Sequence, residues 1–231
     1  MSRPGNHRGN VARGGSSLVF SAWNSADKHA DVTLSGSDRI ATSLIGGSWR
    51  CARGTLGRST GKWHIEYQIT GGATSNTNFG FAAASQALNI YSGLSGQSLG
   101  VFVDKRVTSS REEEGYYFGE FANGLPVPGD TNIVSGSIVA IEVDLDAKRF
   151  WASLDGGEWR GASGYYETAP GTPSSGTNGF IFDQPASAFD VVQKVGVMLY
   201  PFCSLNNDAV KINTGQDAFI KAVSSGFAAW G

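Results

Sequence analysis

Charged side chains are scarce in this sequence. They make up 16% of 231 residues, and 18 Lys and Arg against 20 Asp and Glu leave a formal net charge of −2. So even a balance excludes a nucleic-acid grip driven by phosphate charge. Cysteine is down to Cys51 and Cys203, each in or beside an apolar run. Two such residues point to buried free thiols in a reducing compartment, not to a disulfide framework. The three histidines, His7, His29 and His64, have no metal-ligand spacing with one another or with the cysteines, so no metal site is expected. Glycine-rich phosphate loops are missing, and no cofactor is expected. No window approaches the roughly 20 apolar residues of a membrane span, and the N-terminus lacks the apolar core of a secretory signal. Heptads and internal repeats are absent as well.

What the chain has in abundance is glycine and serine, 32 and 27 residues, a quarter of the whole. With hydrophobic residues at 40%, this is the composition of a turn-rich all-β protein. From residue 18 onward the hydrophobic pattern has period two, the signature of strands. Lys62 to Ile69 places Trp63, Ile65, Tyr67 and Ile69 on one face and Lys62, His64, Glu66 and Gln68 on the other. Ile138 to Leu145 groups Val139, Ile141, Val143 and Leu145, with Glu142 and Asp144 opposite. Phe150 to Leu154, Val195 to Tyr200 and Ala209 to Ile212 read as shorter strands, separated by Gly, Ser, Asn, Asp and Pro clusters suited to turns. Helix candidates are limited to Ser85–Ile90 and Asp217–Val223. Many short strands with such turns imply two packed antiparallel sheets. Residues 165–190 read as an insertion loop anchored by Phe180, Ile181 and Phe182, and residues 1–17 as an extended Gly-rich arm carrying Arg3, Arg8 and Arg13.

Two motifs suggest catalysis at first sight. Gly57-Arg58-Ser59-Thr60-Gly61 matches a nucleophile elbow, but that device needs a strand before the serine and a helix after it, and here a strand follows directly. A turn is expected. Glu142-Val143-Asp144-Leu145-Asp146 is similar to the Glu-x-Asp-x-Glu strand of jelly-roll glycoside hydrolases, with Asp146 one methylene short at the last position. Retaining hydrolysis needs its carboxyls about 5 Å apart, whereas residues four apart on a strand have Cα atoms separated by about 13 Å. A strand with these carboxylates facing solvent, ending in a turn at Asp146, is the simpler expectation. The Arg111-Glu112-Glu113-Glu114 run is expected to be a solvated loop.

Taken in order, the segments resemble the SPRY domain, particularly the version found in bacteriophage virion proteins. Trp23-Asn24-Ser25-Ala26-Asp27-Lys28 with Thr33-Leu34-Ser35 resembles the family's opening segment. Ser48-Trp49-Arg50-Cys51-Ala52-Arg53 leads into Gly61-Lys62-Trp63-His64-Ile65-Glu66, similar to its hallmark G-K-W/H-Y-W-E strand. Gly80-Phe81-Ala82, Gly115-Tyr116-Tyr117 and Val139–Asp146 follow, and Phe150 to Trp159 is close to its F-x-x-N-G-x-W hairpin, with Asp155 where Asn is usual. Tyr200-Pro201-Phe202-Cys203-Ser204-Leu205 resembles its Tyr-Pro strand, and Lys211 to Phe219 resembles N-F-G-Q-x-P/A-F, with Thr214 in place of Phe. The resemblance spans about residues 20–228, and its force lies in the order and spacing of the motifs.

The resemblance implies a bent, two-sheet antiparallel β sandwich over residues 18–231 that binds partners through loops at one edge and has no enzymatic activity. By position in that pattern the ligand loop is Leu205, Asn206 and Asn207; from chemistry, the aromatics Tyr91, Trp159, Tyr165 and Tyr166 join it as exposed rings. The function expected is that of a non-enzymatic virion protein, a decoration or host-attachment subunit localised to the particle. Its partners would be other capsid or tail proteins, the basic arm would anchor it, and a host glycan or protein could meet its loops. Such a subunit is expected to be oligomeric within the assembly. An intracellular SPRY adaptor, or a glycoside hydrolase using Glu142 and Asp146, are the alternatives.

Overall fold

A computed structural model describes residues 19–72, 77–91, 97–102, 106–108, 118–120, 133–162, 168–182 and 196–231. The strands are β1 (Trp23–Lys28), β2 (Thr33–Ser35), β3 (Ile40–Ser43), β4 (Arg50–Gly54), β5 (Lys62–Ile69) and β6 (Asn78–Ala83). Next come β7 (Ser98–Phe102), β8 (Arg106–Thr108), β9 (Phe118–Glu120), β10 (Ile138–Asp144), β11 (Arg149–Leu154) and β12 (Arg160–Ala162). The last are β13 (Thr168–Pro170), β14 (Phe180–Ile181), β15 (Leu199–Leu205), β16 (Asp208–Asn213) and β17 (Ala228–Ala229).

They form two sheets. The first runs β1-β4-β15-β6-β7-β8-β9; the second runs β13-β12-β11-β10-β5-β16-β3-β2, with β14 beside β11 and β17 beside β5. All pairings are antiparallel save that of β17, which lies parallel to Trp63 and His64 of β5. The one edge of β5 is thus divided between β16, at Glu66–Ile69, and β17, at Trp63–His64. Alternation supplies the core: Ile65, Tyr67, Ile69, Val139, Ile141 and Val143 from the second sheet meet Phe79, Phe81, Leu99, Val101, Cys203 and Leu205 from the first.

Trp230 closes this core, stacked on Phe81 with ring centroids 4.7 Å apart and edge-on to Trp63 at 6.3 Å. Its indole N–H donates to the Leu56 carbonyl at 2.8 Å and its own carbonyl accepts both Arg58 Nε and Nη2, so no polar group of the plug is left bare.

Three sequence expectations change. Ser85–Ile90 and Asp217–Val223 are turns and bends, not helices, because each is pinned to a strand instead of to itself. Cys51 N–H donates to Leu88 O, and Lys221 N–H donates to Glu66 Oε1. Within 165–190 the described residues are no plain loop: β13, a 3-10 turn at Pro173–Ser175 and β14 extend the second sheet, with Phe180 and Phe182 buried in the core and Trp151 Nε1 donating to Thr177 O at 2.8 Å. The outer face of the second sheet is likewise no solvent face, since residues 214–231 cross it as a strap: His64, Glu66, Glu142 and Asp144 are all buried. Residues 1–17 lie outside the described residues.

Candidate functional site

One end of the sandwich gathers short loops from both sheets. Asn206 and Asn207 make the tight β15–β16 turn, with Asn207 at φ 59°, a left-handed conformation that Asn tolerates better than most residues. Asn206 joins three loops: its side-chain carbonyl accepts the Gly47 N–H at 3.0 Å, and its own N–H donates to Thr77 Oγ1 at 3.2 Å. Asn207 N–H donates to Ile45 O at 3.1 Å, which fixes the β3–β4 loop, residues 44–49, against the turn. Trp49, at the end of that loop, packs on Tyr91 with centroids 4.8 Å apart. Cys51 Sγ and Ser204 Oγ both donate to Ile90 O, holding the segment that carries Tyr91 against β4 and β15.

On this frame Leu44 stands 81% exposed and Ile45 42% exposed, adjacent apolar side chains held in water by a stitched loop. With half-buried Trp49 and Tyr91 and exposed Asn207 they make an apolar surface with polar groups at its margin, the composition of a protein contact. Of the residues expected here from sequence, Asn207 and Tyr91 reach the surface. Asn206 is a buried stitch. Leu205 needs correcting: it points into the core, as β15 alternation requires, and offers no side chain to a ligand. Leu44, Ile45 and Trp49 were not singled out from sequence, although two consecutive apolar residues before Gly46-Gly47, in a loop, were a readable signal.

No family model matches the sequence, and no curated protein does. Solved structures match the fold. The SPRY domain of human HERC1 superposes with a TM-score of 0.53 at 12% identity, covering 85% of this chain and 100% of that one. The stonustoxin structure superposes with a TM-score of 0.53 at 11% identity, covering 84% of this chain, which spans only 27% of that one. The fold is SPRY-like.

Of the three departures from the SPRY pattern, the long insertion between Trp159 and Val195 being the third, Asp155 and Thr214 sit comfortably in this fold. Asp155 holds the left-handed turn position at φ 48°, and its Oδ1 accepts the Ile138 N–H at 2.7 Å. Thr214 is buried, its hydroxyl donating to Ser21 O at 3.0 Å.

Away from the edge, the outer face of the second sheet carries the carboxylates that suggested hydrolysis. Glu142 is wholly buried; its Oε1 faces His64 Nδ1 at 3.0 Å and accepts the Ser224 N–H of the strap at 2.7 Å. Asp144 pairs with Lys62 at 3.1 Å and accepts the N–H groups of Asp146 and Ala147, a turn cap, while Asp146 accepts the Gly61 N–H at 3.0 Å. Each carboxylate is engaged in holding the chain, and Glu142 faces the strap rather than a cleft. Residues 57–61 form the expected turn into β5, with Gly61 at φ 88°.

Burial draws the His64 pKa down, but the hydrogen bond to Glu142 and the nearby Glu66 outweigh it and leave the imidazole above its ordinary value. Phe219 packs edge-on against the same ring at 4.4 Å. Trp159, expected from sequence as an exposed ring, lies beneath the strap at 9% exposure, edge-on to His64 and under the Lys221 ammonium. The cover comes from Phe219 and Phe227, which pack edge-on against His64 and Trp151 on that face and which sequence reading did not single out for that role. Both thiols are free and buried; burial pushes Cys51 up to about 12 and Cys203 well above its usual range. Tyr165, Tyr166, Arg3, Arg8 and Arg13 lie outside the described residues.

Proposed function

We propose that this chain is a non-enzymatic binding protein of a bacteriophage particle, displayed at the particle surface, whose partner is a protein seated on the edge formed by Leu44, Ile45, Trp49, Tyr91 and Asn207. The observation that carries the binding role is the exposure of Leu44 and Ile45 on a loop pinned by Asn206 and Asn207. A pre-ordered apolar surface loses little entropy on docking. The virion assignment rests on the order of the phage-type motifs, and anchoring is assigned to the basic arm of Arg3, Arg8 and Arg13. No catalysis is assigned, because the carboxylates of β10 are engaged in structure.

The test has two parts. Mass spectrometry of purified particles is expected to find the chain, and cryo-electron microscopy to place it; its absence from particles would return it to the adaptor reading. In the second part, Leu44→Asp with Ile45→Asp is expected to abolish capture of the partner found next to it in the particle while leaving the melting curve unchanged. Undiminished capture would remove the edge from the proposal. The arm is tested by deleting residues 2–16, which is expected to abolish incorporation into particles.

A further inference from the structure

The strap does not cover the whole outer face of the second sheet. Cross-strand registry sets out rows there: Ile138, Gln68 and Lys211 in one, Ala140, Glu66 and Asn213 in the next, Glu142 and His64 in a third. Phe219, Lys221 and Ser224 lie over Glu66, His64 and Glu142. The first row stays open, and between it and the strap is a cavity of about 170 Å³. Glu66 and Gln68 contribute to it, Lys211 and Asp217 supply a charged side, and Ile138 and Ile220 an apolar one. That volume is well below the roughly 300–1,000 Å³ of sites for drug-sized ligands. It suits a single side chain or a small metabolite.

Charge decides which kind. Glu66 is only 3% exposed; among the described residues its carboxylate accepts the Lys221 N–H at 2.8 Å on Oε1 and Asn213 Nδ2 at 3.4 Å on Oε2, with His64 Nε2 farther off at 4.0 Å. Among the described residues, the cations nearby are engaged at other groups. Lys211 Nζ and Arg39 Nη1 both bind Asp217 Oδ2 at 2.8 Å, and Lys221 Nζ binds the Gly157 carbonyl. His64 faces Glu142 at 3.0 Å and stands 4.0 Å from Glu66. Even as an imidazolium it offsets one of two buried carboxylates. The rim trio of Lys211, Arg39 and Asp217 sums to one positive charge, but it is open to water and screened. Among the described residues of this face, Glu66 is therefore the buried carboxylate with no cation closer than 4.0 Å, in a place where attraction is least screened.

We infer that this cavity binds an organic monocation, an alkylammonium or guanidinium group whose head meets the Glu66 carboxylate and whose methylenes lie on Ile138 and Ile220. The head can come from a free amine or from a lysine or arginine side chain of a protein partner. The site is separate from the Leu44–Tyr91 edge and stands or falls independently of it.

Titrations of the full chain with n-butylammonium chloride and with 1-butanol, followed by amide chemical shifts, test the inference. The ammonium is expected to bind at least about tenfold more tightly than the alcohol, the discrimination a charge-assisted hydrogen bond provides. Glu66→Gln, which keeps an acceptor for Lys221 N–H, is expected to abolish that preference. Ile220→Trp is expected to block the cavity with an unchanged melting temperature, because Ile220 is 60% exposed; it serves as the test should Glu66→Gln fail to fold. Nα-acetyl-lysine N-methylamide separates the sources: binding as tight as the amine assigns a partner side chain, and rejection of it while the amine binds assigns a free amine. Equal binding of alcohol and ammonium, no binding of the ammonium, or an unaltered preference in Glu66→Gln would overturn the inference.

Discussion

His64 Nδ1 and Glu142 Oε1 face each other 3.0 Å apart across directly paired positions of β5 and β10, with both side chains fully buried. The same carboxylate oxygen accepts the Ser224 N–H, so one pair joins two strands to the strap. Removing one member of such a pair leaves the other buried without compensation, which is far more costly than the pair is stabilising. His64→Leu is expected to lower stability by about 3–5 kcal/mol in urea unfolding, and the double variant His64→Leu with Glu142→Leu to recover part of the loss. A double variant no more stable than the single one would mean that the carboxylate matters for the Ser224 contact alone.

The pair also makes stability depend on pH. The folded pKa of His64 lies above its unfolded value of 6.5, so the native state holds its proton more tightly. That contribution is fully present below about 6.5 and is lost as pH rises through the folded pKa. Glu142 and Glu66 are the titratable groups that face the ring. Unfolding free energies measured from pH 6 upward are expected to fall in the wild type and to flatten in His64→Gln; parallel profiles would refute the assignment.

Trp230 fills the gap between Phe81 and Trp63 and bonds to Leu56 and Arg58. Trp230→Ala is expected to cost about 3–5 kcal/mol, the range for a buried large aromatic. A thermal melt checks it, and a loss typical of a surface site would show that the strap is dispensable.

Cys51 and Cys203 are expected to resist a thiol-disulfide reagent at pH 8 and to react at the rate of global opening. Both are buried, and the Cys51 pKa near 12 leaves almost no thiolate. Reaction faster than unfolding would reveal local opening of the segment that covers Cys51.

At Asn207, φ 59° predicts opposite outcomes for two substitutions. Asn207→Gly is expected to be neutral to within about 0.5 kcal/mol, and Asn207→Val to cost about 1–2 kcal/mol, because a β-branched side chain fits the left-handed region poorly. Equal effects would mean that the turn relaxes to another conformation.

The strands were the most legible part of the sequence. The predicted span Lys62–Ile69 matches β5 residue for residue, because strict alternation leaves one register that buries Ile65, Tyr67 and Ile69 together. What alternation cannot show is whether the opposite face meets water. His64, Glu66 and Glu142 look like solvent-side residues by type, and they are buried because residues far along the chain lie over them. Tertiary cover of this kind leaves no local period. At the edge, motif position located the Asn206–Asn207 turn, but Leu44 and Ile45 became meaningful only once the turn was seen to hold their loop.

The position of Trp230 has a consequence for the order of events in the cell. The residue that closes the core meets partners as far back as Leu56, and β17, immediately before it, occupies the remaining edge of β5. A chain emerging N-terminus first therefore carries both sheets with their seam open until residue 230 has cleared the ribosome. Closure of the sandwich waits on Trp230 and β17, and a chain cut short of them would expose an adhesive interior between its sheets.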